Sequence, residues 1–138
     1  MTVSQSIILW LKTFDSTTRP LDTIDTDIQS AVDSTYSLIK TPVQNIKSYL
    51  SGRKEITDRY TLMARLDSQN NTARIDNGTW GEELSYWIKI QNMNQNYPIL
   101  NGATVQEISI STPFYLGKSE TNSSLYELTI AIKYVKET

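Results

Sequence analysis

The side chains able to act as acids, bases or nucleophiles form a narrow set. The 138-residue chain contains neither cysteine nor histidine. That removes disulfides, thiolate zinc sites, cysteine nucleophiles and histidine-based triads. Acid–base work would fall to carboxylates, lysine or tyrosine. Glu82 and Glu83 are an adjacent carboxylate pair, but acids in the first turn of a helix complement its macrodipole, and that explanation suffices. Asp25-Thr26-Asp27 has the look of a metal pair and reads more simply as acid in a surface loop. Ser119, Ser123 and Ser124 have no base beside them in sequence. There is no phosphate-binding loop, dinucleotide fingerprint, nucleophile elbow or zinc-protease motif. The residues offer no catalytic set, and neither a cofactor nor a metal site is expected.

Composition narrows the partners further. With 13 basic and 15 acidic residues the formal charge is −2, so no polycation is present to neutralise a nucleic-acid backbone. Ser, Thr, Asn and Gln together occupy 48 positions, which suits strands, turns and polar contact surfaces better than a long-helix bundle. Three N-x-[ST] triplets, at Asn70, Asn77 and Asn122, are no more than such a composition produces by chance. No basic n-region opens the chain, and the run Ile7 to Leu11 is too short to cross a bilayer. A protein without a membrane segment, made and used in a cytoplasm, is therefore expected.

The elements that would position these groups follow from hydrophobic spacing, and the length suggests one domain spanning residues 1–138. Val3, Ile7, Trp10, Leu11 and Phe14 make one stripe, predicting an N-terminal helix over residues 1–14. Residues 15–35 are rich in aspartate, lack a period and read as an acidic connector. Residues 36–67 read as a hairpin. A first piece stops near Pro42, Val43 to Leu50 leads into a turn at Ser51-Gly52, and Ile56, Tyr60, Leu62, Ala64 and Leu66 then alternate with polar residues. Only Asp58 on the apolar face and Met63 on the polar one break that alternation.

Thr79 to Glu82 has capping-box spacing, and Trp80, Leu84, Trp87, Ile88 and Gln91 share a face, predicting a helix over 77–94 with both tryptophans inward. Two strands fill residues 103–135. The first has a bulge between Val105 and Ile108; the second, Tyr126 to Tyr134, alternates without fault and should be central. The predicted fold class is α+β: one antiparallel or mixed sheet of about four strands, with an N-terminal and a central helix packed on one face. Between the last two strands, Pro113 to Ser123 reads as a loop whose Phe114, Tyr115 and Leu116 either fold back on the core or meet a partner.

Three stretches resemble one family. They are Tyr36-Ser37-Leu38-Ile39 with Pro42, Ile46, Tyr49 and Gly52; the segment Asn77-Gly78 through Trp87-Ile88; and Tyr115-Leu116 with Ser123 to Ile130. Over about residues 33–138 the chain is similar to the small neck proteins of long-tailed phages of Gram-positive bacteria, labelled minor capsid proteins and understood as tail terminators. The resemblance implies a structural virion protein and no enzyme. Its subunit forms a homohexameric ring on the tail tube protein, stops tube growth, and presents its other face to the head connector. DNA would meet it only when passing through the lumen. On that reading Phe114, Tyr115 and Leu116 belong to a subunit or ring contact, and the hairpin tip Ser51, Gly52, Arg53 and Lys54 faces the tube or lumen. The alternatives are a head-completion or connector adaptor of the same neck, and a cytoplasmic adaptor that binds peptides along an exposed sheet edge.

Overall fold

Thr2 starts the first helix: its hydroxyl accepts from the Gln5 amide (3.2 Å) while the Gln5 side chain accepts from the Thr2 amide (2.8 Å), a reciprocal capping box. The structure, a computed structural model, describes residues 2–14, 19, 21, 23–26, 35–120 and 122–137. Helix α1 runs Val3–Leu11, shorter than its apolar stripe; Phe14 lies past its end but is still buried. Five strands follow: β1 (Ile24–Thr26), β2 (Thr35–Ser48), β3 (Lys54–Asp67), β4 (Thr104–Lys118) and β5 (Ser123–Lys136). Helix α2 (Asn71–Met93) lies between β3 and β4 in the chain. The sheet order is β1-β2-β3-β5-β4, with β1 parallel to β2 and all other pairings antiparallel. The fold is α+β with a mixed sheet, and the perfectly alternating last strand is internal, as its pattern predicts.

The connector over 15–35 contains β1, paired with Tyr36 to Leu38; three residues, of which only Ile24 is buried, are too few to carry a period. Asp25 is exposed on that strand, while Asp27 lies outside the described residues. Pro42 does not stop the first strand. Residues 41–43 sit opposite Arg59 alone, between the pairs Lys40–Tyr60 and Gln44–Asp58, and this bulge absorbs a residue that has no N–H to give. The segment 113–118 is strand, not loop. Register slips at four places along β4 erase its two-residue period, and the true connection to β5 is only residues 119–122.

Helix α2 begins at Asn71, not at residue 77, and it is the Asn70 side chain that caps it by accepting from the Ala73 amide (2.8 Å). Thr79 forms no capping box; its hydroxyl donates to the Ile75 carbonyl inside the helix (3.1 Å). Asn77-Gly78, which reads as a break, is helical because Asn77 is fully buried and bonded on both sides. Its amide donates to the Asp67 carbonyl (2.8 Å) and the Tyr126 hydroxyl (3.3 Å), and its oxygen accepts from Arg19 (2.6 Å). Those tertiary bonds outweigh a propensity deficit of about 1.5 kcal/mol for the Asn-Gly pair.

Both helices cover the even-numbered face of β3 and β5. Trp80, fully buried, stacks on Tyr36 (centroids 5.6 Å) and meets Phe14 and Phe114 edge-on (6.3 and 5.7 Å). Trp10 packs on Trp87 at 4.8 Å, which joins α1 to α2. Each of these two anchors satisfies its indole N–H: Trp10 on the Asn96 carbonyl (2.8 Å) and Trp80 on the Arg19 carbonyl (3.0 Å).

The same cluster sets opposite outcomes for two glycines of α2. A Cβ at Gly81 would overlap the Phe114 ring, which is held between Trp80 and Tyr126, whereas one at Gly78 would meet nothing. Gly78→Ala should stabilise the fold by about 0.5–1 kcal/mol, and Gly81→Ala should destabilise it by about 1–3 kcal/mol. Urea denaturation of the two variants against wild type measures both signs.

Candidate interaction surface

The β2–β3 hairpin is built as an arm. Tyr49 opens the turn; Gly52, at φ +90°, donates back to the Tyr49 carbonyl (3.0 Å), a backbone geometry that favours glycine. The Tyr49 ring lies beneath Lys47 (5.5 Å) and Arg53 (5.4 Å), and its hydroxyl donates to Glu55 (3.3 Å). Lys133 pairs with Glu55 at 3.2 Å, and its hydrogen bond is the main reason the Glu55 carboxyl titrates below its ordinary value. Arg53 also reaches Glu137 at 3.7 Å. Of the tip residues singled out by sequence, Ser51 is exposed in the turn, Gly52 forms it, Arg53 is held against Tyr49, and Lys54 begins β3 in solvent. Leu50, at the outermost point, is fully exposed, and Ile46 and Val43 are exposed behind it.

A buried carboxylate anchors this arm. Asp58, only 1% exposed, accepts from the Tyr134 hydroxyl (2.7 Å) and the Gln44 amide (2.6 Å), with the Lys40 ammonium 4.0 Å away. Lys40 and Gln44 are the two ends of the β2 bulge, so one acid ties the bulge to β3 and to β5. Burial, reinforced by the hydrogen bond to Asp58, raises the Tyr134 hydroxyl far above an ordinary phenol. The apolar-face position of Asp58 was the sequence signal for this network.

At the opposite margin the structure separates the three residues proposed for a contact. Phe114 turns inward and stacks on Tyr126 (5.2 Å, interplanar 4°), so its ring is committed within the chain's own fold. Tyr115 faces the uncovered side of the sheet and donates to Glu127, the bond that chiefly raises its pKa. Leu116 stays about half exposed. Sequence reading missed a separate hollow earlier along β4: a groove of about 380 Å³ between α2 and β4, lined by Tyr86, Ile88, Lys89, Ile108 and Ile110.

The uncovered face of the sheet is polar. Thr61 and Thr129 share a hydrogen bond (2.9 Å), and Arg59 donates to Asn45 (2.7 Å). Glu82 and Glu83 lie mid-helix on the exposed side of α2, well past the first turn, so the macrodipole does not explain them. Ser124 is buried against Ser68 (2.7 Å). Among the described residues no cluster of three acids stands close enough to hold a metal ion, and no helix is long and apolar enough to cross a membrane. No family model matches the chain, and no curated protein matches it.

Asp58→Ala leaves a buried phenol and an amide without their acceptor and should cost about 3 kcal/mol. Tyr134 adds a pH dependence. Its hydroxyl pKa is higher folded than unfolded, so the folded state keeps a proton that the unfolded chain loses above pH ~10. The stability it contributes is complete below pH ~10 and falls as pH rises, by up to about 1.4 kcal/mol per unit. Urea titrations between pH 8 and about 11 should show a steeper alkaline loss in wild type than in Tyr134→Phe.

Proposed function

We propose that the chain is a ring subunit that caps the tail tube of a long-tailed phage, stopping tube growth and offering the surface to which the head attaches. The observation that carries this reading is the pair of unlike margins on one sheet: an arm with exposed Leu50, Ile46 and Val43 at the β2 side, and exposed Tyr115 and Leu116 at the β4 side. Two different patches on opposite flanks favour head-to-tail contact, which makes a ring when the rotation between copies closes and an open filament when it does not. The α+β build and the resemblance in residues 33–138 support the same reading, as does a polar uncovered sheet face suited to wet contacts between proteins.

In this arrangement Leu116 and Tyr115 serve a contact between chains, while Phe114 sets the strand that carries them. Capping needs no bond making: the ring occupies the growing end with a surface that tube subunits cannot extend. The subunit would act in the virion neck after assembly in the host cytoplasm, with the tube protein on one side, the head connector on the other and DNA crossing its lumen.

Purified chain added to headless tails that lack it should bind one end of each tube and block further addition of tube subunits. Leu116→Asp should keep the wild-type urea midpoint within about 0.5 kcal/mol and lose that binding. Binding to isolated portal complexes but not to tube ends would assign the protein to the head side of the neck. Binding to neither would remove the capping role.

A further inference from the structure

We infer that Asn101 is a site of spontaneous covalent modification, its side-chain amide converting to an acid, while the fold shields the one other Asn-Gly pair, Asn77-Gly78. The inference is independent of the ring reading. An asparagine followed by glycine is open to attack by its own main chain. The Gly102 nitrogen, once it gives its proton to base, bonds to the carbonyl carbon of the Asn101 side chain. The carboxamide C–N bond breaks, ammonia leaves, and a five-membered succinimide closes. Water then opens the ring at one carbonyl to give aspartate, or at the other to give isoaspartate. One water is consumed and one ammonia released, so the step needs no oxidant, cofactor or enzyme. Glycine leaves the attacking nitrogen unobstructed, because it has no Cβ.

The two pairs sit in opposite surroundings. Asn101 and Gly102 form an exposed turn ahead of β4. Neither the Asn101 side chain nor the Gly102 N–H has a hydrogen-bond partner among the described residues. Gly102 has φ +68°, and a Cβ placed there would meet nothing, so the turn has room to close the ring. Asn77 is 0% exposed. Its amide donates to the Asp67 carbonyl (2.8 Å) and the Tyr126 hydroxyl (3.3 Å), and its oxygen accepts from Arg19 (2.6 Å). Gly78 lies inside α2, where the helical ladder engages its N–H. Reaction at Asn77 must wait for a local opening that breaks these bonds. The new acid at Asn101 is ionised at neutral pH, making the chain one unit more negative than −2. Asn101 borders a hollow of about 220 Å³ with Thr2, Val3 and Lys136, so the carboxylate arises beside a lysine and the first turn of α1, both of which favour negative charge. The isoaspartate form also adds one main-chain atom three residues before the first β4 pair, Thr104–Val135.

Trypsin separates the two positions, placing Asn77 in the peptide Ile75–Lys89 and Asn101 in the peptide Ile90–Lys118. Purified wild-type chain is kept warm in mildly alkaline buffer, with and without denaturing urea, then digested and read by fragmentation mass spectrometry. In the native chain Asn101 should convert, and faster as pH rises, while Asn77 converts more than about tenfold more slowly. In urea the two should convert at similar rates. An isoaspartate methyltransferase should label aged native wild type and leave aged Asn101→Gln unlabelled. Native Asn101 that stays an amide while the unfolded chain converts would show the turn to be closed to the reaction and overturn the site. Equal conversion of both pairs in the native chain would overturn the shielding of Asn77. Conversion at neither position in urea would overturn the inference as a whole.

Discussion

β3 and β5 pair along their full lengths, Lys54 with Lys136 through Asp67 with Ser123, without one slip in register. That ladder constrains the rest. Strict alternation places Ile56, Tyr60, Leu62, Leu128, Ile130 and Ile132 on one face, and so continuous an apolar face must be covered. The two helices cover it from the same side, stapled by Trp80 and by the Trp10–Trp87 pair. The other face, with Thr61, Thr129, Glu55 and Lys133 bonded across strands, needs no cover. A two-layer α+β subunit with one wet face follows directly.

Irregularity is moved to the margins. β2 takes a bulge at Pro42, pinned through Asp58 to both central strands, and β4 takes repeated slips that let Phe114 turn inward while Tyr115 and Leu116 stay out. Bulged edges resist open-ended strand pairing. What these margins leave exposed is side chains: Leu50 at the arm's apex on one flank, and Tyr115 and Leu116 on the other. The buried acid that could look catalytic has a mechanical role: Asp58 meets Lys40 and Gln44 of the arm and Tyr134 of the strand beneath it.

What was legible in the sequence followed the strength of the period. Tyr126 to Tyr134 alternates cleanly and Ile56 to Leu66 does so but for Asp58 and Met63, and both are strands; Trp80, Leu84 and Ile88 repeat at helical spacing, and all three are buried in α2. The failures fall where tertiary contacts override local signals. The first turns of α2 expose Ile75 and bury Asn77, the reverse of an amphipathic pattern, because Asn77 is fixed by Asp67, Tyr126 and Arg19. β1 is too short to show a period, and its pairing depends on a neighbour met later in the chain. The end of β4 was hidden by slips that change which face each residue takes. Of the residues proposed for contacts, the exposure of Leu116 and the turn at Ser51-Gly52 were legible from apolar and turn chemistry. The groove was not, since it exists only where α2 crosses β4.

The sheet has two unlike flanks and one polar face, and tube capping is the use proposed for this build. The most direct measurement is to delete the gene from its phage or prophage and image the induced lysate by negative stain. Overlong tubes detached from full heads are the expected result. Tails of normal length beside DNA-filled heads, or intact virions, would contradict the capping role.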